Sequence, residues 1–270
     1  MLTQNHFTFP FYIPRVFRLC SNWPVYLRNY FLRKKNRAEY RLRDGVRLYD
    51  DTGTLAGTMA VVFVRREYGP VERVRTVVDI GAHVGSFAVY AAQSCPGARV
   101  YCYEPEQQNF ELLKQNIGIN GLAGRVSAFQ CAVASHNGCR ELAVGESLLN
   151  SFHIVPTGAD HQSVNCTTLR DIFESHALEA IDLLKINCEG AEYEILESCS
   201  DGEFERIANI RLEYHDLDAL KRNGEALSRF LEARGYRIDR FTRYRNSSGF
   251  IWAARAALMK TLSAFLPETL

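Results

Sequence analysis

Four groups of polar residues interrupt apolar runs in patterns that suit chemistry on a small charged ligand. The first is in TVVDIGAHVGSFAVYAA, residues 76–92: Asp79 sits near the end of an apolar run, and Gly81 and Gly85 follow four apart. Glycines there permit a tight turn and close backbone approach. The spacing G-x-x-x-G is not the dinucleotide fingerprint G-x-G-x-x-G, and a carboxylate beside the turn would repel a pyrophosphate. It would attract a cationic amino-acid moiety. The second is Glu104, at the end of the run VYCYE and followed by Pro105. An acid one strand–helix unit after a glycine turn can accept both hydroxyls of a ribose.

The third stretch is LLKINCEGAEYEIL, 183–196, where Asn187 and Glu189 close an apolar run and Glu192 enters the following helix. The fourth is IRLEYHD, 210–216, with Glu213 and His215 two apart. Strand alternation puts these two on one side. Histidine is the usual proton acceptor near neutral pH, the work needed when a hydroxyl is to act as a nucleophile.

These groups need a scaffold that gathers strand ends, and the pattern supplies one. Strands at 76–80, 98–104, 125–133, 181–187 and 207–214 alternate with helices at 84–94, 106–119, 168–176, 191–198 and 223–234. The region 139–167 reads as short irregular strands, 140–144 and 151–155 among them. YRIDRF and GFIWAA are too close for a helical crossover and should pair antiparallel. Such alternation predicts a mostly parallel sheet covered by helices on both faces, with ligands at the strands' carboxyl ends. Upstream, YRLRDGVRLYDD carries a D-G hairpin signal and MAVVFVRREYG reads as a strand. The expected organisation is an aromatic and basic arm over 1–40, a small β element over 41–75, the main domain over 76–255 and a terminal helix over 256–270.

Composition narrows the class. The chain has 270 residues, 47% of them apolar, and a net charge of +1, so a general nucleic-acid binder is not implied. Its eight cysteines form no C-x-x-C pair, which argues against a zinc or redox motif. Buried free thiols would suit a reducing, cytoplasmic setting. No run is long and apolar enough to cross a membrane. The arm is expected to pack as a helical extension, with contact to an anionic substrate or lipid headgroup as its second use.

Together the stretches VVDIGAHVGSF, YCYEPEQQNFELLKQNI, TTLRDIF, IDLLKINCEGAEYEIL and IRLEYHD resemble the FkbM-type S-adenosylmethionine-dependent methyltransferases, over roughly residues 45–255. The resemblance implies a Rossmann-like class I methyltransferase fold, an α/β architecture with a seven-stranded sheet and one antiparallel strand. It implies S-adenosylmethionine as cofactor and O-methylation of a sugar, glycan or natural-product hydroxyl. A metal would need a dedicated cluster of oxygen ligands, which the stretches do not show, so none is expected. Asp79, Gly81, Ala82, Gly85 and Ser86 would shape the cofactor pocket, Glu104 would hold the ribose and Ala132 would lie near the adenine. Asn187, Glu189 and His215 would face the transferred methyl group, with His215 as base and Glu213 orienting it.

Three positions depart from the family pattern: Asn187 and Arg170 stand where Asp is usual, and His83 where Asn is commoner. The lost carboxylate at 187 motivates an alternative, a non-catalytic protein that holds cofactor or a partner. A nicotinamide-dependent oxidoreductase is a third option that the glycine spacing disfavours.

Overall fold

The computed structural model describes residues 9–32, 37–144, 160–244 and 247–255. The expected strand at 151–155 and terminal helix at 256–270 lie outside the described residues. The chain opens with two helices, α1 (Ile13–Leu19) and α2 (Trp23–Leu32), then a hairpin of β1 (Ala38–Arg41) and β2 (Arg47–Asp50) around the D-G turn. The helices dock on it through Asn29 Nδ2, which donates to Tyr40 OH at 2.9 Å, and through a Cys20–Leu42 bridge.

The run after the hairpin is not the expected strand. α3 (Leu55–Met59) continues into a π-helical stretch, Ala60–Arg65, that ends at Arg66 with φ 55°. Its β-branched residues favour a strand, but Met59, Ala60, Val62, Phe63 and Val64 are all buried. A short, wholly apolar run has no periodicity to separate the two conformations.

From Thr76 the alternation holds. β3 (Thr76–Ile80), α4 (Ser86–Ser94), β4 (Arg99–Tyr103), α5 (Gln107–Ile119) and β5 (Val126–Phe129) come first. The expected strand 125–133 breaks at Gln130. β5 is the edge of the main sheet, and the chain then leaves it: β6 (Ala132–Val133) pairs with β8 (Asp160–Thr167), which pairs with β7 (Gly138–Val144) in a separate three-stranded sheet. Then follow α6 (Leu169–Ser175), β9 (Leu183–Ile186), α7 (Glu192–Glu197), α8 (Asp201–Glu205), β10 (Asn209–His215), α9 (Gly224–Glu232), β11 (Arg237–Tyr244) and β12 (Ser248–Ala254).

The main sheet has seven strands in the order β11-β12-β10-β9-β3-β4-β5. β10, β9, β3, β4 and β5 are parallel, while β12 runs antiparallel to both β10 and β11. The chain moves outward from β3 through β4 to β5, then returns to β9 on the other side. That makes β3/β9 the switch point where such sheets open a crevice. Alternation divides the cores: Val77 and Leu183 join the core that holds α4 and α5, and Val78, Ile80, Leu184 and Ile186 join the one that holds α6 and α7. Val16, Cys20, Tyr26 and Tyr30 of the arm belong to the first of these cores, so the arm is built into the body of the protein.

Candidate functional site

The glycine turn lies where β3, β4 and β9 end. Gly81 and Ala82 both donate their N–H to the carbonyl of Tyr103, at 3.0 Å each, which ties the turn to the residue before Glu104. Gly81 has φ 71°, and a Cβ on it would lie 1.8 Å from the Asn187 carbonyl oxygen. Only glycine lets these two backbones touch. Gly85, φ 86°, is the residue before α4. Ser86, the first residue of α4, has its Oγ 2.8 Å from Thr58 Oγ1. His83, φ 53°, places Nε2 3.3 Å from Thr54 Oγ1. The segment before the main domain therefore walls one side of the turn. Burial lowers the pKa of His83 to about 4, so the ring is neutral at physiological pH.

Glu104 is 5% exposed. One carboxylate oxygen accepts the His83 N–H at 2.8 Å, the other the Glu106 N–H at 3.1 Å. Burial pushes its pKa up to about 7, against the pull of those two N–H groups. Each oxygen keeps lone-pair capacity for a further donor, which is the requirement for gripping a diol.

Asp79 is fully buried beneath the turn, not open to a ligand. Its carboxylate forms an ion pair with Lys185, 2.8 Å from Nζ, and Lys185 also donates to the Gly81 carbonyl at 2.7 Å. Burial raises the Asp79 pKa and the Lys185 charge opposes that rise. Asp79 thus acts on the turn through Lys185, whose Nζ also lies 5.5 and 5.9 Å from the ring centroids of Tyr68 and Phe87.

Next to the turn, Asn187 Nδ2 donates to Glu213 at 2.9 Å and to Tyr68 OH at 3.2 Å. Its Oδ1 is buried without a partner, as is His83 Nδ1. Burial pushes the Glu213 pKa up to about 7, with His215 pulling it down. Glu189, in a left-handed conformation with φ 51°, brings a carboxylate oxygen to 3.2 Å from His215 Nε2. Glu192 is wholly buried. It accepts from the Gly190 N–H at 2.8 Å and the His215 N–H at 2.7 Å, and lies 3.1 Å from His215 Nδ1. Burial opposes protonation of His215, but Glu192, Glu189 and Glu213 outweigh it and raise the pKa to about 10. Nδ1 makes the hydrogen-bond contact with Glu192, while Nε2, though close to Glu189, has no hydrogen-bond partner; a protonated imidazole has no lone pair for a substrate proton. The expectation that His215 is the base meets this obstacle.

The structure thus brings Asp79, Gly81, Ala82, Gly85, Ser86, Glu104, Asn187, Glu189, Glu213 and His215 to one edge of the sheet. Ala132 lies in β6 of the second sheet, in a small core with Ala134, Leu142, Val164 and Cys166. Sequence reasoning missed Lys185, Tyr68 and Thr54. A lysine inside the apolar run LLKI was the available signal for the first, since a charge in a strand buried on both faces requires a partner. Around this edge five carboxylates (Asp79, Glu104, Glu189, Glu192 and Glu213) face two cations, Lys185 and His215. That excess, with the unpaired Asn187 oxygen, favours a positively charged ligand that carries N–H donors.

A central β3 whose glycine turn opens at the switch point, with an acid at the end of the next strand, defines a Rossmann-like domain of the methyltransferase type. The family profile described as "Methyltransferase FkbM domain" matches residues 79–238, more than half of the chain, and the chain belongs to that family. Methyltransferase sdnD of Sordaria araneosa is 27% identical over 61% of this chain and 74% of its own length. The 31-O-demethyl-FK506 methyltransferase FkbM of Streptomyces tacrolimicus is 27% identical over 53% of this chain and 66% of its own, just under two thirds. The crystal structure of a methyltransferase FkbM from Methylobacillus flagellatus KT aligns with 86% of this chain and 58% of that one, at 15% identity and a TM-score of 0.47.

Proposed function

We propose that the protein transfers a methyl group from S-adenosylmethionine to a hydroxyl of a sugar, glycan or natural product. One observation carries this: the Gly81 backbone packs directly on Asn187, so a diol-binding carboxylate, Glu104, and an acid cluster around Glu213 flank a single turn. A nucleoside with a cationic amino-acid tail matches that order of groups. The Streptomyces relative, named for acting on 31-O-demethyl-FK506, supports a hydroxyl as acceptor.

The residues divide the work as follows. Glu104 would receive the ribose hydroxyls, and the unpartnered Asn187 Oδ1 would receive an N–H of the amino-acid tail. S-adenosylmethionine supplies a methyl carbon already activated by its sulfonium, so the protein's task is alignment and exclusion of water. The acceptor hydroxyl would give its proton to the Glu213 carboxylate as its oxygen takes the methyl carbon, the C–S bond to the sulfonium breaking to leave neutral S-adenosylhomocysteine. Asn187 fixes that carboxylate through its amide N–H. His215, held protonated by Glu189 and Glu192, supplies a fixed positive charge beside it that keeps part of the Glu213 population ionised near neutral pH.

Calorimetric titration with S-adenosylmethionine and S-adenosylhomocysteine, on the wild type and Glu104→Ala, tests the pocket. Binding weakened by the variant, followed by methyl transfer to members of a hydroxylated acceptor panel, is the expected result. Binding without transfer to any acceptor would favour the non-catalytic alternative, for which the amide at 187 is the specific motive. Absence of binding would remove the proposal.

A further inference from the structure

The N-terminal helices lie outside the matched family region and play no part in the chemistry above. On α1, Val16 is buried while Pro14, Phe17 and Arg18 are exposed; on α2, Tyr26, Asn29 and Tyr30 are buried while Trp23, Pro24, Arg28, Phe31 and Leu32 are exposed. At about 100° per residue these exposed sets form the outward faces of the two helices. An outward face is normally polar, and these are largely apolar, with three aromatic residues among the eight. Phe11 is 84% exposed, Phe17 41%, Trp23 38%, Phe31 50% and Leu32 57%. Five of the seven large exposed hydrophobic residues among the described residues therefore fall in this short segment, which is clustering rather than scatter. The two faces join, because the Phe17 and Trp23 rings meet edge-on at 4.7 Å.

The patch is held from below. Arg43 Nε donates to the Phe17 carbonyl at 3.0 Å, and the Ser21 N–H donates to the Arg41 carbonyl at 2.8 Å. The aromatic residues are thus presented on a fixed platform. Its charge is one-sided: the chain carries no Asp or Glu before Glu39, and Arg18 and Arg28 on the outward faces are followed in sequence by Arg33, Lys34, Lys35 and Arg37. The whole chain is nearly neutral, so this is a local asymmetry.

We propose that this surface docks on an anionic lipid bilayer, with the aromatic and leucine side chains entering the headgroup boundary and the arginines on lipid phosphates. Aromatic side chains and arginine are the two groups suited to that boundary. A second copy of the same face would set these arginines against each other. Nucleic acid would leave Phe11 and Leu32 without an apolar environment. No helix among the described residues is long and apolar enough to cross a membrane.

The test is vesicle flotation of the full chain, with phosphatidylcholine alone and with added phosphatidylglycerol, at low and high salt. The expected result is binding to the anionic vesicles that weakens with salt. Arg18→Gln/Arg28→Gln should bind about thirtyfold more weakly. Phe17→Ala/Trp23→Ala should lose about tenfold or more. Leu220→Ser, at an exposed leucine elsewhere on the surface, should bind as the wild type, and unchanged thermal melts would show that all variants fold. Failure to float with anionic vesicles, equal binding to neutral ones, or an equal loss in Leu220→Ser would overturn the proposal. So would dimerisation or binding to a single-stranded RNA that depends on Phe17 and Trp23 when vesicle binding does not.

Discussion

Lys185 Nζ lies 2.8 Å from Asp79 Oδ1, and the two residues are register partners on the neighbouring parallel strands β9 and β3. Neither is accessible to water, so removing one partner leaves the other as an uncompensated buried charge. Lys185→Met is expected to cost about 3–5 kcal/mol of folding stability. The double variant Asp79→Asn/Lys185→Met should recover a large part of it, because it removes both charges. Denaturant melts of the three proteins check this. Equal loss in the single and double variants would show that the lysine matters for packing and not for its charge.

Gly81 and Gly85 both have positive φ but differ in what surrounds them. A side chain at 81 meets a backbone carbonyl at 1.8 Å, whereas at 85 its nearest neighbour is the Leu113 Cδ1 atom at 2.7 Å, the movable end of a side chain. Gly85→Ala should therefore cost little beyond its left-handed conformation, about 1–2 kcal/mol, and keep cofactor affinity within a few fold. Gly81→Ala has no such escape. It must separate the turn from Asn187, so both stability and cofactor binding should fall more. Titration calorimetry and thermal melts on the two variants would show the asymmetry, and equal behaviour would contradict the contact.

Much of the site was legible because strand ends are marked locally: Asp79, Gly81, Glu104, Asn187 and Glu213 each follow or close an apolar run, and parallel sheets collect such ends. What pairs across strands was not. That Lys185 meets Asp79 depends on β9 lying beside β3, a register that no local pattern prints. Tyr68 was hidden differently, because the run before it reads equally as strand or helix, and the π-helical course of Ala60–Arg65 decides where the residue falls. The break after Phe129 depends on β8, which offers a second sheet for β6. His215 was legible as a polar group at a strand end, but its clamp by Glu189 and Glu192 was not, and that clamp changes its chemistry.

Glu104 is the test of the ribose assignment. Glu104→Gln keeps the shape and one oxygen acceptor but places an NH2 where His83 or Glu106 now donates an N–H. Loss of a charge-assisted hydrogen bond of about 1.5–3 kcal/mol should weaken S-adenosylmethionine and S-adenosylhomocysteine alike, by about ten- to 150-fold. Both ligands carry the same ribose, so the ratio of their affinities should not change. A variant that weakened only the sulfonium form would place Glu104 near the amino-acid tail instead.

The proton path gives the sharpest pH dependence. A pKa of about 7 at Glu213 means that the base form appears as pH rises, so turnover should climb tenfold per pH unit below about 7 and level off above it. If His215 were the base, the climb would extend to about 10. Glu213→Gln should abolish turnover while cofactor affinity stays within a few fold, and His215→Gln should move the Glu213 midpoint upward by removing a neighbouring positive charge. Stability gives an independent reading. The folded-state pKa of His215, about 10, lies above its ordinary 6.5, so its contribution is complete below about 6.5 and is lost as pH rises through about 10. Glu213 is raised from 4.5 to about 7, so folding holds its proton more tightly and stability falls between those values as pH rises. Unfolding free energies between pH 4 and 10 should therefore fall across both windows, with the upper fall absent in His215→Gln. A flat upper window in the wild type would mean that the imidazole is neutral, and would return His215 to the role of base.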